Sequence, residues 1–101
     1  MSWIKDREKF ELINLIKETD IFRSLYKLLI LVYLGVNKTT HIKLILGGNY
    51  YNIISQAEQR GYIKREPGGI LTLTEYGEQL ASNLYQCIVL LREKKERTSE
   101  A

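Results

Sequence analysis

Residues 45–80 read ILGGNYYNIISQAEQRGYIKREPGGILTLTEYGEQL, and the order of signals within them decides the fold. Gly47-Gly48 ends one short apolar segment and turns the chain. The next segment, residues 50–60, places Tyr50, Ile53, Ile54 and Ala57 at the three-and-four spacing of one helix face. Asn49 stands before it as an N-cap and Gly61 after it as a stop. Residues 62–65 and 70–73 are short strand-like runs. The turn between them, Glu66-Pro67-Gly68-Gly69, has the Pro and Gly that a chain reversal requires. Thr74 then caps a last helix over 75–97, and residues 98–101 should fray.

Upstream of this stretch, residues 39–46 form another short helix, capped by Thr39 or Thr40, with Ile42, Ile45 and Leu46 turned inward. Residues 21–34 are apolar nearly all round and should lie at the centre of the domain, with Asp20 as N-cap and Gly35 past the C-terminus. Residues 3–19 carry Phe10, Ile13 and Ile16 at helical spacing, widened by Leu12 and Leu15. The order is four helices, a hairpin and a last helix. It predicts a mainly α fold with a short β-hairpin: a winged helix-turn-helix with long N- and C-terminal helices that form a dimer interface. One domain covers 1–101, with an N-terminal dimerisation helix (1–19), the helix-turn-helix plus wing (21–73) and a C-terminal dimerisation helix (75–97).

Charge is concentrated in the middle of the chain. The formal net charge of +3 over 101 residues is too small to imply nucleic acid by itself. Residues 21–66, however, hold seven bases against two acids, whereas 1–20 and 67–101 each hold four bases against five acids. In the docking of a winged helix, the second short helix enters the major groove and the hairpin covers neighbouring phosphates. The outer face of 49–60 suits that role, with Asn49, Asn52, Ser55, Gln56 and Gln59 and with Tyr51 at its edge. It reads as a row of neutral hydrogen-bonding groups free of acids, able to meet base edges without repelling phosphates. Arg60, Lys64, Arg65 and the close-approach glycines Gly68 and Gly69 come after it. Lys38, His41 and Lys43 sit at the start of the preceding helix, whose amides can also meet a phosphate. A surface charge is ordinarily no more than a solubilising group; grouped around one helix face these make a DNA footprint.

The quoted stretch resembles the recognition helix, wing and last helix of prokaryotic and archaeal winged helix-turn-helix DNA-binding proteins. The pattern Gly61-Tyr62-Ile63, then Leu73-Thr74 followed by Gly77 and Leu80, is similar to that of the multiple-antibiotic-resistance regulator class. It is also similar to that of small archaeal winged-helix dimers with a long C-terminal helix. The likeness covers roughly residues 22–90, and this chain departs from the larger regulators in its short wing and compact helix pair. It implies DNA contact through the exposed positions of 49–59 and through Lys64 and Arg65.

Two apolar stripes, Phe10/Ile13/Ile16 and Leu80/Leu84/Ile88/Leu91, exceed what so small a domain should cover, since a helix of some 22 residues is about 33 Å long. A two-fold homodimer through the first and last helices is expected. Cys87 is the one cysteine, so no intramolecular disulfide forms, and a reducing, cytoplasmic setting is implied. No apolar run spans a bilayer and no secretory leader pattern opens the chain. One His and one Cys, with no phosphate-cradling glycine loop, give neither metal cluster nor nucleophile pair, so no catalysis, metal or cofactor is expected. The sequence thus predicts sequence-specific binding of double-stranded DNA by a transcriptional regulator. The alternatives are an architectural, chromatin-like DNA-binding protein and a winged helix used only for protein interaction.

Overall fold

A computed structural model describes residues 6–20 and 22–100, and the side chains of 9–20 and 22–93. Among these residues the order is α1 (Asp6–Glu18), α2 (Ser24–Tyr33), α3 (Thr39–Leu46), α4 (Tyr50–Gln59), β1 (Ile63–Glu66), β2 (Ile70–Leu73) and α5 (Glu75–Glu100). The described residues are thus mainly helical, with a two-stranded antiparallel hairpin. The expected start of the first helix at Trp3 lies outside them. No described helix is long and apolar enough to cross a membrane.

The centre is α2, as its all-round apolar sequence requires. Leu25, Leu28, Leu29, Ile30, Leu31 and Val32 are buried, and α1, α3, α4, α5 and β2 all pack around it. Its end is a Schellman turn: the Val36 amide donates to Leu31 O and the Gly35 amide to Val32 O, with Gly35 at φ +97°. Its start corrects the sequence expectation. The helix begins at Ser24, its N-cap position is Arg23, and no side chain caps it. Asp20 therefore has no capping role: it lies three residues before the N-cap position, and Phe22 packs against the core.

The entry to α3 is likewise set by a distant partner. Lys38, with φ −94° and ψ 133°, forms a β-bridge with Ile70. The Thr39 amide donates to Gly69 O at 2.9 Å and the Leu71 amide to Asn37 O at 2.7 Å. Residues 37–39 thereby lie along the free edge of β2. The N-cap position falls on this extended Lys38, and neither Thr39 nor Thr40 caps the helix as expected. The hairpin pairs Ile63 with Leu73 through Glu66 with Ile70, which leaves a loop of Pro67, Gly68 and Gly69, one residue shorter than the expected turn. Both glycines have positive φ, and a Cβ on Gly69 would come within 2.9 Å of Thr39 Oγ1.

Thr74 is the N-cap that the sequence implies: its Oγ1 accepts from the Gly77 amide at 3.0 Å. The same hydroxyl donates to Gly61 O at 2.5 Å. From there α5 runs to Glu100, past the expected fray point. Its 26 residues amount to about 39 Å, most of the 46 Å long dimension of the molecule.

The two stripes read as a dimer interface are largely used inside one chain. Ile16 and Ile88 have no exposed surface at all, while Ile13, Leu80, Leu84 and Leu91 are half-buried against the same core. Phe10 alone of the seven is exposed. Assigning Ile16 and Ile88 to a dimer face is corrected. Because α1 and α5 both lie against α2 and against each other, one domain buries more of both stripes than its size suggested.

Candidate nucleic-acid interface

The surface in question is built by α3, α4 and the hairpin. On α4 the side chains of Ile53, Ile54 and Ala57 are buried and Tyr50 is half-buried, which turns Tyr51, Asn52, Gln56 and Gln59 to solvent. Gly47, at φ +84°, makes the tight turn from α3. Asn49 occupies the N-cap position, but its side chain caps nothing. Instead Asn49 Oδ1 accepts a hydrogen bond from Asn52 Nδ2 at 2.9 Å. This bond takes one Asn52 N–H and leaves the other N–H and the carbonyl oxygen on the outer face.

The hairpin reaches this helix through one residue. Side chains alternate along a strand, so Arg65 points to the same side as buried Ile63, while Lys64 and Glu66 point to the other. Arg65 lands on α4. Its Nη2 donates to Ser55 Oγ at 2.9 Å, its Nε lies 3.3 Å from Glu58 Oε1, and its guanidinium carbon sits 4.9 Å from the centre of the Tyr51 ring. Hydrogen bonding to the Tyr51 side chain, and then the Glu58 carboxylate, raise the Arg65 pKa above its ordinary value.

This contact corrects the reading of an acid-free face. Tyr51, Ser55 and Glu58 form one ridge at four- and three-residue spacing, and the ridge faces the hairpin with an acid at its end. Asn52, Gln56 and Gln59 form the neighbouring ridge, which is uncharged and exposed. Sequence reasoning placed Arg65 among free phosphate-binding bases, yet it is held by three side chains of α4. The available signal was the i, i+4, i+7 ridge set against a base two positions after a buried strand residue.

Beneath Arg65 lies a cleft of about 310 Å³ between α4 and the hairpin, lined on the helix side by Tyr50, Tyr51 and Ile54 and on the other by Thr39, Gly69 and Leu71. Thr39 and Tyr50 were not among the expected site residues. Lys43 lies 5.9 Å from the centre of the Tyr50 ring. Lys38, Lys64 and Gly68 are exposed on the hairpin side, and Arg60 is exposed at the far end of α4. His41 is not brought to this cleft; it faces α1, where Lys9 and Lys17 stand. Residues 38–73 carry five bases, Lys38, Lys43, Arg60, Lys64 and Arg65, against Glu58 and Glu66.

No protein-family model, no curated protein and no solved structure matches this chain. What the surface can bind is decided by its own chemistry. Among the described residues no group of three or more His, Cys, Asp or Glu side chains converges as metal ligands would.

The residues of the quoted sequence pattern meet at one junction. Tyr62 O accepts from the Thr74 amide at 3.0 Å. Gly77 packs against that same carbonyl so closely that an added Cβ would fall 2.0 Å from its oxygen. Gly61, Tyr62, Thr74 and Gly77 thus fasten the end of α4 and the start of β1 to the start of α5. This holds the hairpin at a set angle to α4.

Proposed function

We propose that this protein is a winged helix-turn-helix that binds double-stranded DNA as a sequence-specific transcriptional regulator, with α4 in the major groove and the β1–β2 hairpin as the wing. The observation that carries the reading is the exposed ridge Asn52, Gln56 and Gln59 on α4, uncharged and flanked by bases of α3 and the hairpin. Side-chain amides with both a donor and an acceptor match base edges in the major groove, and Asn and Gln suit adenine in particular. Lys38, Lys43 and Lys64 supply the phosphate contacts that fix register. The edge pairing of residues 37–39 with β2, together with the Arg65 contacts, supports the view that helix pair and hairpin move as one rigid reading head.

Selection of bound duplexes from a random pool tests the proposal. One enriched motif, bound with an affinity that falls steeply with salt, is the expected result. Salt-dependent binding with no enriched motif would make the protein an architectural one. No binding to any duplex at low salt would remove the DNA reading altogether.

The homodimer belongs to the same proposal, moved to the surfaces that remain free. Leu90 is 64% exposed and Cys87, three residues earlier on α5, is also exposed. A two-fold contact along that face of α5 would place two copies of α4 on one duplex, with half-sites about 34 Å apart and inverted.

A further inference from the structure

An open groove of about 520 Å³ runs between α1 and α3. Its floor is Ile13, Val36 and Ile45, and its lips are Phe10 and Leu44, which are 69% and 78% exposed. Lys9, Lys17 and His41 stand around it, and among the residues whose side chains are described no Asp or Glu lines it. None of the three makes an ion pair among the described residues. Large apolar side chains left in water beside two lysines without an ion-pair partner among the described residues, Lys9 and Lys17, mark an interaction surface more than a solubilising one. The groove borrows one side of α3, but no residue of α4 or of the hairpin lines it, nor do Lys38 or Lys43, so its role can be tested apart from DNA binding.

We propose that this groove docks an acidic amphipathic helix of a partner protein. The apolar face of such a helix, repeating at three- and four-residue spacing, fills the floor and covers Phe10 and Leu44, while its Asp and Glu flanks meet Lys9, Lys17 and His41. The 13 residues of α1 extend about 20 Å, which accommodates three to four turns of a partner helix. A second copy of this chain fits poorly, because a two-fold contact here would set each cluster of cations near its own image. A small organic acid could reach the floor but would leave most of both lips wet. A bilayer is flat where this surface is concave.

The test uses the full chain and fluorescein-labelled 16-residue peptides that form amphipathic helices. One peptide has Leu along a face and Glu and Asp on its flanks; its control has Lys in place of every acid. Fluorescence anisotropy should show saturable binding of the acidic peptide only. Binding should weaken by at least tenfold, equivalent to about 1.4 kcal/mol, in Lys9→Glu/Lys17→Glu and separately in Leu44→Ser. Circular dichroism establishes that each variant is folded, and exposure of Leu44 makes its replacement structurally mild. The charge-reversed double variant should now take the Lys peptide. Equal binding of both peptides, no saturable binding of the acidic one, or binding unchanged in both variants overturns the proposal. Binding to phosphatidylglycerol vesicles in place of the acidic peptide, lost in the same variants, also overturns it and assigns the groove to a lipid surface.

Discussion

Replacing Glu58 by Gln should strengthen DNA binding at a cost to folding of no more than about 1 kcal/mol. Glu58 Oε1 lies 3.3 Å from Arg65 Nε, and the two side chains retain 44% and 33% of their exposure. A pair so open to solvent contributes only about 0.2–1 kcal/mol to folding. Its loss should therefore lower the melting midpoint by no more than about 8 °C in a domain of this size. Its effect on DNA is larger. While paired, Arg65 and Glu58 present no net charge to a phosphate; with Gln, the guanidinium counts in full. One additional phosphate contact makes the slope of log K against log salt more negative by about 0.9. At 0.1 M salt that amounts to about eightfold in affinity, or roughly 1.2 kcal/mol. Arg65→Ala should move the slope the opposite way, since it leaves the Glu58 carboxylate unpaired beside the phosphates. The double variant Glu58→Gln/Arg65→Ala should return close to the native slope. Fluorescence anisotropy with a labelled 20-base-pair duplex, titrated from 0.05 to 0.3 M salt, reads all three, and the gain should be the same on any sequence. A Glu58→Gln protein with native slope and affinity would refute the argument, because Arg65 would then already leave Glu58 for the phosphates.

Asn52→Ala should cost about 1–3 kcal/mol on the selected duplex and much less on random DNA; equal losses on both would mean that the Asn49–Asn52 pair only dresses the surface. Gly77→Ala should lower the melting midpoint by on the order of 12–24 °C, from a loss of about 3 kcal/mol, because the new Cβ meets the Tyr62 carbonyl at 2.0 Å and backbone cannot step aside. A midpoint within 3 °C of native, read by circular dichroism, would contradict that account. Leu90→Asp should leave the fold intact and give a monomer mass by light scattering, whereas Ile88→Asp, with a fully buried side chain, should unfold the chain by stranding a charge in the core. A folded Leu90→Asp dimer would rule out the α5 face as the contact.

The short-range features of this fold were legible in the amino acids themselves. Gly35 ends α2 because a left-handed residue closes a Schellman turn, and Thr74 caps α5 because its hydroxyl meets an amide three residues on. The burial of α2 comes from apolar residues on every side, and the hairpin from Pro67-Gly68-Gly69 between two strand-like runs. Each of these signals acts within about four residues, so the chain carries it wherever the rest of the molecule lies. Tertiary structure decided the remainder. Lys38 takes the N-cap position of α3 because residue 70, on β2, pairs with it. Arg65 is spent on Tyr51, Ser55 and Glu58 because strand alternation and the angle of the hairpin aim it at one ridge of α4. Ile16 and Ile88 vanish into the monomer because α1 and α5 meet across α2. His41 turns from the α4 cleft toward α1 for the same kind of reason. A periodic pattern says which residues share a face; which neighbour that face meets depends on how distant elements pack, and local spacing does not carry that information.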